Sequence, residues 1–245
     1  MFGRLHRLKD YEGENELNKS ENSGGSSIIV KPLEQFDPAD WKSVYSAFEK
    51  VDILPFIPAD STYEARFQPG AVKVGWRNQA LWVYARLEGC SIFNSALTHN
   101  ELMWSLGDTF EMFLRPLAQA RYYEFHVTPQ NLRLQLRFKS EEEVNELREW
   151  GRGLQDSSFV EEPLFQHWTN VNETEGFWEV LAEIPAESVV NTGSIQIGDK
   201  WRFLFSRYDF AFGDREKDAV LSSTSNLLRV DFHHQADWRT LEFAE

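Results

Sequence analysis

The strongest constraint on this chain is an alternation of apolar and polar residues with a period of two, repeated along most of its length. Leu132, Leu134, Leu136 and Phe138 alternate with Arg133, Gln135 and Arg137. Successive side chains of a strand point to opposite faces, so this run predicts a strand with one face buried. Val72, Val74 and Trp76 alternate with Lys73 and Gly75; Arg77-Asn78-Gln79 then reads as a turn, and Leu81 to Leu87 as the returning strand of a hairpin. Tyr63, Ala65 and Phe67 alternate with Glu64 and Arg66, which predicts another strand. Further strands are expected at Thr109 to Leu114, Tyr122 to Val127, Phe177 to Ile184, Trp201 to Tyr208, Leu228 to Phe232 and Thr240 to Phe243. Roughly ten short strands separated by turn signals, with no βαβ alternation, predict an all-β fold. The expected architecture is an antiparallel β-sandwich of jelly-roll or immunoglobulin-like type.

Two segments break the pattern. Between Pro38 and Glu49, Trp41, Val44, Tyr45 and Phe48 have helical spacing, with Asp37 as a candidate N-cap. An irregular strand is the alternative there. Ser140 to Trp150 opens with Ser140 and Glu143 in capping-box positions, carries Val144, Leu147 and Trp150 roughly on one face, and is followed by Gly151 and Gly153. One or two short helical insertions are therefore expected. The stretch 9–27 is polar and rich in Gly, Ser and Asn. It gives a domain reading of a disordered leader over 1–30 and one sandwich domain over 31–245. A chain of 245 residues buries enough apolar surface to fold without disulfides or metals.

The formal charge of −14 repels phosphate backbones and anionic lipid, which argues against nucleic acid and membrane partners. Neutral ligands are not disfavoured. The single cysteine, Cys90, forms no internal disulfide. No apolar run of signal-peptide or membrane-spanning length occurs. As written the sequence reads as cytoplasmic; a native N-terminus missing from it would make it secreted or periplasmic.

The run from Ile92 to Pro116 contains Trp104, Gly107, Asp108, Phe110, Glu111, Phe113 and Pro116. It resembles the family 9 carbohydrate-binding modules and their relatives, the DOMON-like β-sandwiches. Three later segments are similar in the same order: Phe177 to Pro185 (FWEVLAEIP), Trp201 to Tyr208 (WRFLFSRY) and Phe232 to Phe243 (FHHQADWRTLEF). The resemblance spans about residues 41 to 245. It implies a non-catalytic module that holds sugar ends, often as the accessory of a glycoside-degrading enzyme. It also implies an aromatic clamp to which Trp104 would contribute. No Trp lies between Trp201 and Trp238, where the second ring of the clamp is expected. The alternative is thus a sandwich serving structure or protein interaction, having lost sugar binding.

Sugar recognition needs an aromatic face against the ring's C–H side, and polar groups for hydroxyls that both donate and accept. The candidate ligand-binding residues are Trp104, Glu111, His126 and Arg207, with Arg121 and Tyr122 as a rim. Glu111 alternates with Phe110 and Met112 and so faces away from their apolar side. Trp104 could equally plug the core, and Arg207 could pair with an acid. His233 and Trp238 read as structural. No cofactor is expected beyond a structural calcium, for which Asp214, Glu216 and Asp218 alternate in a loop. A solvated acidic loop is the ordinary alternative. No nucleophile elbow, P-loop, dinucleotide fingerprint or zinc spacing occurs. A haem-holding DOMON domain would need Met and His ligands, and the chain has only Met1, Met103 and Met112.

Overall fold

The computed structural model describes residues 27–210 and 219–245. In chain order the strands are β1 (Ile28–Val30), β2 (Leu54–Pro55), β3 (Ile57–Pro58), β4 (Gly70–Arg77), β5 (Ala80–Glu88), β6 (Thr109–Pro116) and β7 (Tyr122–Val127). They continue as β8 (Arg133–Phe138), β9 (Gln166–Asn172), β10 (Phe177–Pro185), β11 (Lys200–Asp209), β12 (Val220–Ser223) and β13 (Arg239–Phe243). The larger sheet runs β1-β13-β11-β6-β7-β8, with β12 against β11 and β3 against β12. The smaller runs β2-β4-β5-β10-β9. Pairing is antiparallel throughout except between β1 and β13. The all-β antiparallel sandwich expected from the alternation is the fold observed.

The register explains which residues make the core. In the smaller sheet Val72, Val74, Leu81, Val83, Trp178 and Val180 face inward; in the larger, Phe110, Met112, Phe125, Phe203 and Phe205 meet them. Each such side chain contributes about 1.5–3 kcal/mol on leaving water. The β4–β5 hairpin closes through Asn78 and Gln79, both at positive φ (51° and 61°). Two successive left-handed residues match the twist of a two-residue hairpin.

The outward faces are also covered. On the larger sheet Phe113, Tyr122, Leu134, Leu136, Phe138, Leu204, Phe232 and Trp238 form a second apolar cluster. On the smaller sheet the helix α1 (Trp41–Ala47) packs over Trp82 and Leu181. The helix α2 (Glu141–Glu149) follows β8, and the one-turn α3 (Ala186–Val189) follows β10. The capping box holds in a shifted form. Ser140 Oγ accepts from Glu143 N at 3.5 Å, while the Glu143 carboxylate accepts from Lys139 N at 2.7 Å. Among the described residues, no helix is long and apolar enough to cross a membrane.

Some local expectations are corrected. Ser61–Arg66 is a 3-10 helix and not a strand, because the Asp60 carboxylate caps Thr62 N at 2.8 Å and turns the chain. Leu228 to Phe232 is irregular: Asp231 N bonds back to Arg229 O at 2.8 Å, which closes a turn. The N-cap of α1 is Asp40, with Asp37 closing the preceding turn onto Ala39 N. Ile28–Val30, read as the end of the leader, is a strand of the larger sheet. Asp214, Glu216 and Asp218 lie outside the described residues.

Candidate functional site

The register of the larger sheet assembles a polar cluster on its outer face. Ser206 of β11 lies directly opposite Glu111 of β6, and Glu111 directly opposite His126 of β7. Glu124 is two residues earlier on β7 and therefore on the same face. Ser206 Oγ donates to Glu111 Oε2 at 2.6 Å. His126 Nε2 lies 2.6 Å from Glu124 Oε1 and 3.4 Å from Glu111 Oε1. From the loop before β13, His233 brings Nε2 to 3.5 Å from Glu124 Oε2, and its Nδ1 meets the Tyr122 hydroxyl at 2.7 Å. Glu124 Oε2 and His126 Nδ1 have no hydrogen-bond partner.

Water is excluded from this cluster: Glu111 is 2 % exposed, Glu124 4 % and His126 0 %. Burial penalises each charged form, so the carboxyls rise, Glu111 to about 7, and both imidazoles fall below their usual range.

Trp104 covers the cluster. Its ring, half-buried on the short Met103–Ser105 turn, meets His126 edge-to-face at 5.3 Å between centroids. Asn94 holds the turn in place by donating to Met103 O at 2.9 Å. Gly107 and Asp108 immediately precede β6. Gly107 has φ +150°, and a Cβ there would fall 2.4 Å from Phe93 O. The Asp108 carboxylate accepts from Phe93 N and Phe210 N at 3.0 and 2.8 Å. The Trp-Gly-Asp portion of the motif is thus scaffolding that carries the ring to the sheet face.

Of the six candidate ligand-binding residues, the structure brings Trp104, Glu111, His126 and Tyr122 together. Tyr122 is fully buried within the cluster and is not on a rim. Arg121 is exposed at the start of β7. Arg207 lies on the opposite face of the same sheet, since it follows Ser206 by one residue. There, with no solvent exposure, it pairs with Asp209 Oδ1 at 3.3 Å. It also donates to the carbonyls of Gln68, Pro69 and Glu88 on the smaller sheet's side. The guanidinium ties the two sheets together at the end of the core. Glu124, Ser206 and His233 were not anticipated. The signal for Glu124 was present, because it shares its strand face with Tyr122 and His126.

A second polar arrangement occupies the outer face of the smaller sheet. Glu179 on β10, fully buried, accepts from the hydroxyls of Tyr45 and Tyr84 at 2.7 and 2.6 Å and from Asn170 Nδ2 at 2.8 Å. Desolvation, reinforced by the carboxylate beside it, pushes the Tyr45 hydroxyl up to about 12. Arg86 lies 3.4 Å over the Phe177 ring. Beside them is an open cleft of about 500 Å³, lined also by Lys73 and Glu175.

The sandwich has a fold of the family 9 carbohydrate-binding module type, as three solved structures show. A protein of Bacteroides uniformis, assigned provisionally to carbohydrate binding, superposes with TM-score 0.67 at 17% identity, covering 89% of this chain and 98% of that one. A family 9 carbohydrate-binding module of Caldicellulosiruptor kristjanssonii in complex with cellotriose gives 0.58 at 13%, over 89% and 94%. The glucose complex of a family 9 module from the same organism gives 0.58 at 12%, over 89% and 95%. No protein-family profile and no curated protein matches the chain by sequence.

Proposed function

We propose that the chain is a non-catalytic carbohydrate-binding domain that holds a mono- or oligosaccharide between Trp104 and the polar row Glu111–His126–Glu124. The observation that carries the reading is the buried acceptor and imidazole capacity left unpaired directly beneath an indole ring. Hydroxyl groups, as donors and acceptors, satisfy such atoms, and the ring's apolar side suits the indole. The modules that share the fold, seen with cellotriose and glucose, support a sugar over other polar ligands. Because the cluster is closed, the Trp104 turn must lift to admit the ligand. A glycoside-degrading enzyme is the partner this role implies.

A second reading places the sugar in the cleft beside Tyr45 and Tyr84, favoured by that cleft being open. Glycan-array screening followed by calorimetry separates them. The first reading expects Trp104→Ala to lose about tenfold or more in affinity, equivalent to ~1.4 kcal/mol, while Tyr45→Ala binds as wild type. The reverse pattern moves the site to the smaller sheet. No binding across mono- and oligosaccharides overturns both and leaves a sandwich for structure or protein interaction.

A further inference from the structure

The cluster beneath Trp104 has a second property that sugar recognition does not require. Three side chains each offer one ligand atom, and those atoms all lie within 4.8 Å of one another: Glu111, Glu124 and His126. Their spacings from His126 Nε2, 2.6 Å and 3.4 Å, bracket the ~3.3 Å that separates two ligands on a tetrahedral ion with bonds of about 2.0 Å. His233 Nε2 lies 3.5 Å from the other Glu124 oxygen, Oε2, at the margin of this group.

The atoms behind this group matter as much. Glu111 turns its other oxygen to Ser206 Oγ, and His233 turns its other nitrogen to the Tyr122 hydroxyl. Metal ligands are commonly oriented this way, with the non-coordinating atom held by a hydrogen bond. Glu124 Oε2 is buried without a hydrogen-bond partner, its one ion-pair contact being His233 Nε2 at 3.5 Å. Two carboxyls are thus sunk among apolar side chains, and a doubly charged cation is the most economical compensation for them.

We propose that Glu111, Glu124 and His126 bind a divalent transition-metal ion of the Zn²⁺ class. Mixed imidazole and carboxylate donors suit such an ion better than Ca²⁺, which takes six to eight oxygens. The metal site does not depend on the sugar reading.

The test uses the full chain, stripped with a chelator and titrated with Zn²⁺ alone, with no sugar present. The expected result is one Zn²⁺ per chain by calorimetry and elemental analysis, and loss of that stoichiometric uptake in Glu124→Gln. Ser206→Ala, which leaves all ligands in place, weakens uptake by about tenfold and serves where Glu124→Gln fails to fold. X-ray absorption of the Zn²⁺-loaded protein is expected to show imidazole nitrogen in the coordination shell. Absence of uptake, uptake unchanged in both variants, or a shell of oxygen alone each overturns the proposal. Glycan binding is measured separately with and without Zn²⁺, so its failure leaves the metal result standing.

Discussion

Arg207→Met removes a guanidinium that sits wholly inside the sandwich and keeps most of its volume. Asp209, 3.3 Å away and 2 % exposed, would lose the stronger of its two counter-charges, Arg66 being the other. Burial already holds the Asp209 carboxyl above the usual range, against the lowering effect of Arg207. The carbonyls of Gln68, Pro69 and Glu88 would lose their donor. Breaking a buried ion pair from one side costs about 3–5 kcal/mol, and an orphaned carbonyl adds about 1 kcal/mol. The expected loss is therefore roughly 4–6 kcal/mol, a large part of the ~5–15 kcal/mol that stabilises a domain. Arg207→Met/Asp209→Asn removes both charges and should recover about 2 kcal/mol of it, since the uncompensated carboxylate is gone. Urea unfolding at neutral pH, followed by tryptophan fluorescence, measures both variants. A loss below about 1 kcal/mol for Arg207→Met would mean that the guanidinium is supported by solvent or by a ligand. The argument that it ties the sheets would then fail.

Gly107→Ala should destabilise by about 3 kcal/mol or more in the same urea assay, because φ is +150° and the new Cβ meets Phe93 O at 2.4 Å; tolerance would show that the 93–94 segment yields. Burial lowers the His167 imidazole from 6.5 to about 4, so the unfolded chain binds more protons between those values and stability falls as pH drops through that window. His167→Gln should accordingly be more resistant to acid, gaining about 2–3 kcal/mol on wild type between pH 7.5 and 4.5, and parallel pH profiles would refute the assignment. Tyr84→Phe deletes the 2.6 Å hydrogen bond to buried Glu179 and should cost about 2 kcal/mol by thermal unfolding; a neutral result would show that Tyr45, Asn170 and Arg86 satisfy that carboxylate without it.

The strands legible in the sequence were those with one clean apolar face. Tyr122 to Val127 was placed with its observed limits, and most others lay within a residue or two. The signal failed where periodicity and chemistry diverged. Tyr63, Ala65 and Phe67 alternate correctly, but Asp60 captures a backbone amide first and the segment winds. The edge strand β9 went unnoticed because its residues are half-buried or exposed on both faces, so QHWTNVN carries no sharp alternation. At the candidate site, Glu111 was legible as a polar residue turned away from the apolar side. Its neighbours across the sheet depend on register, which single strands do not encode. Arg207 was assigned to the ligand face although one residue of phase separates it from Ser206; in a strand that difference decides everything. His233 reaches the cluster from an irregular loop, for which no periodic signal exists.

The pairing of β1 with β13 bears on how the molecule is made. The last strand in the sequence is not at the rim of the larger sheet but inside it, between β1 and β11. A nascent chain therefore carries Ile28–Val30 without its strand partner until residues 239–243 have been made. The sheet closes only when residues 239–243 have emerged and inserted between the two. Such long-range closure is slow by its topology and exposes unpaired backbone meanwhile. The vulnerable interval for this sheet is the moment just before β13 arrives.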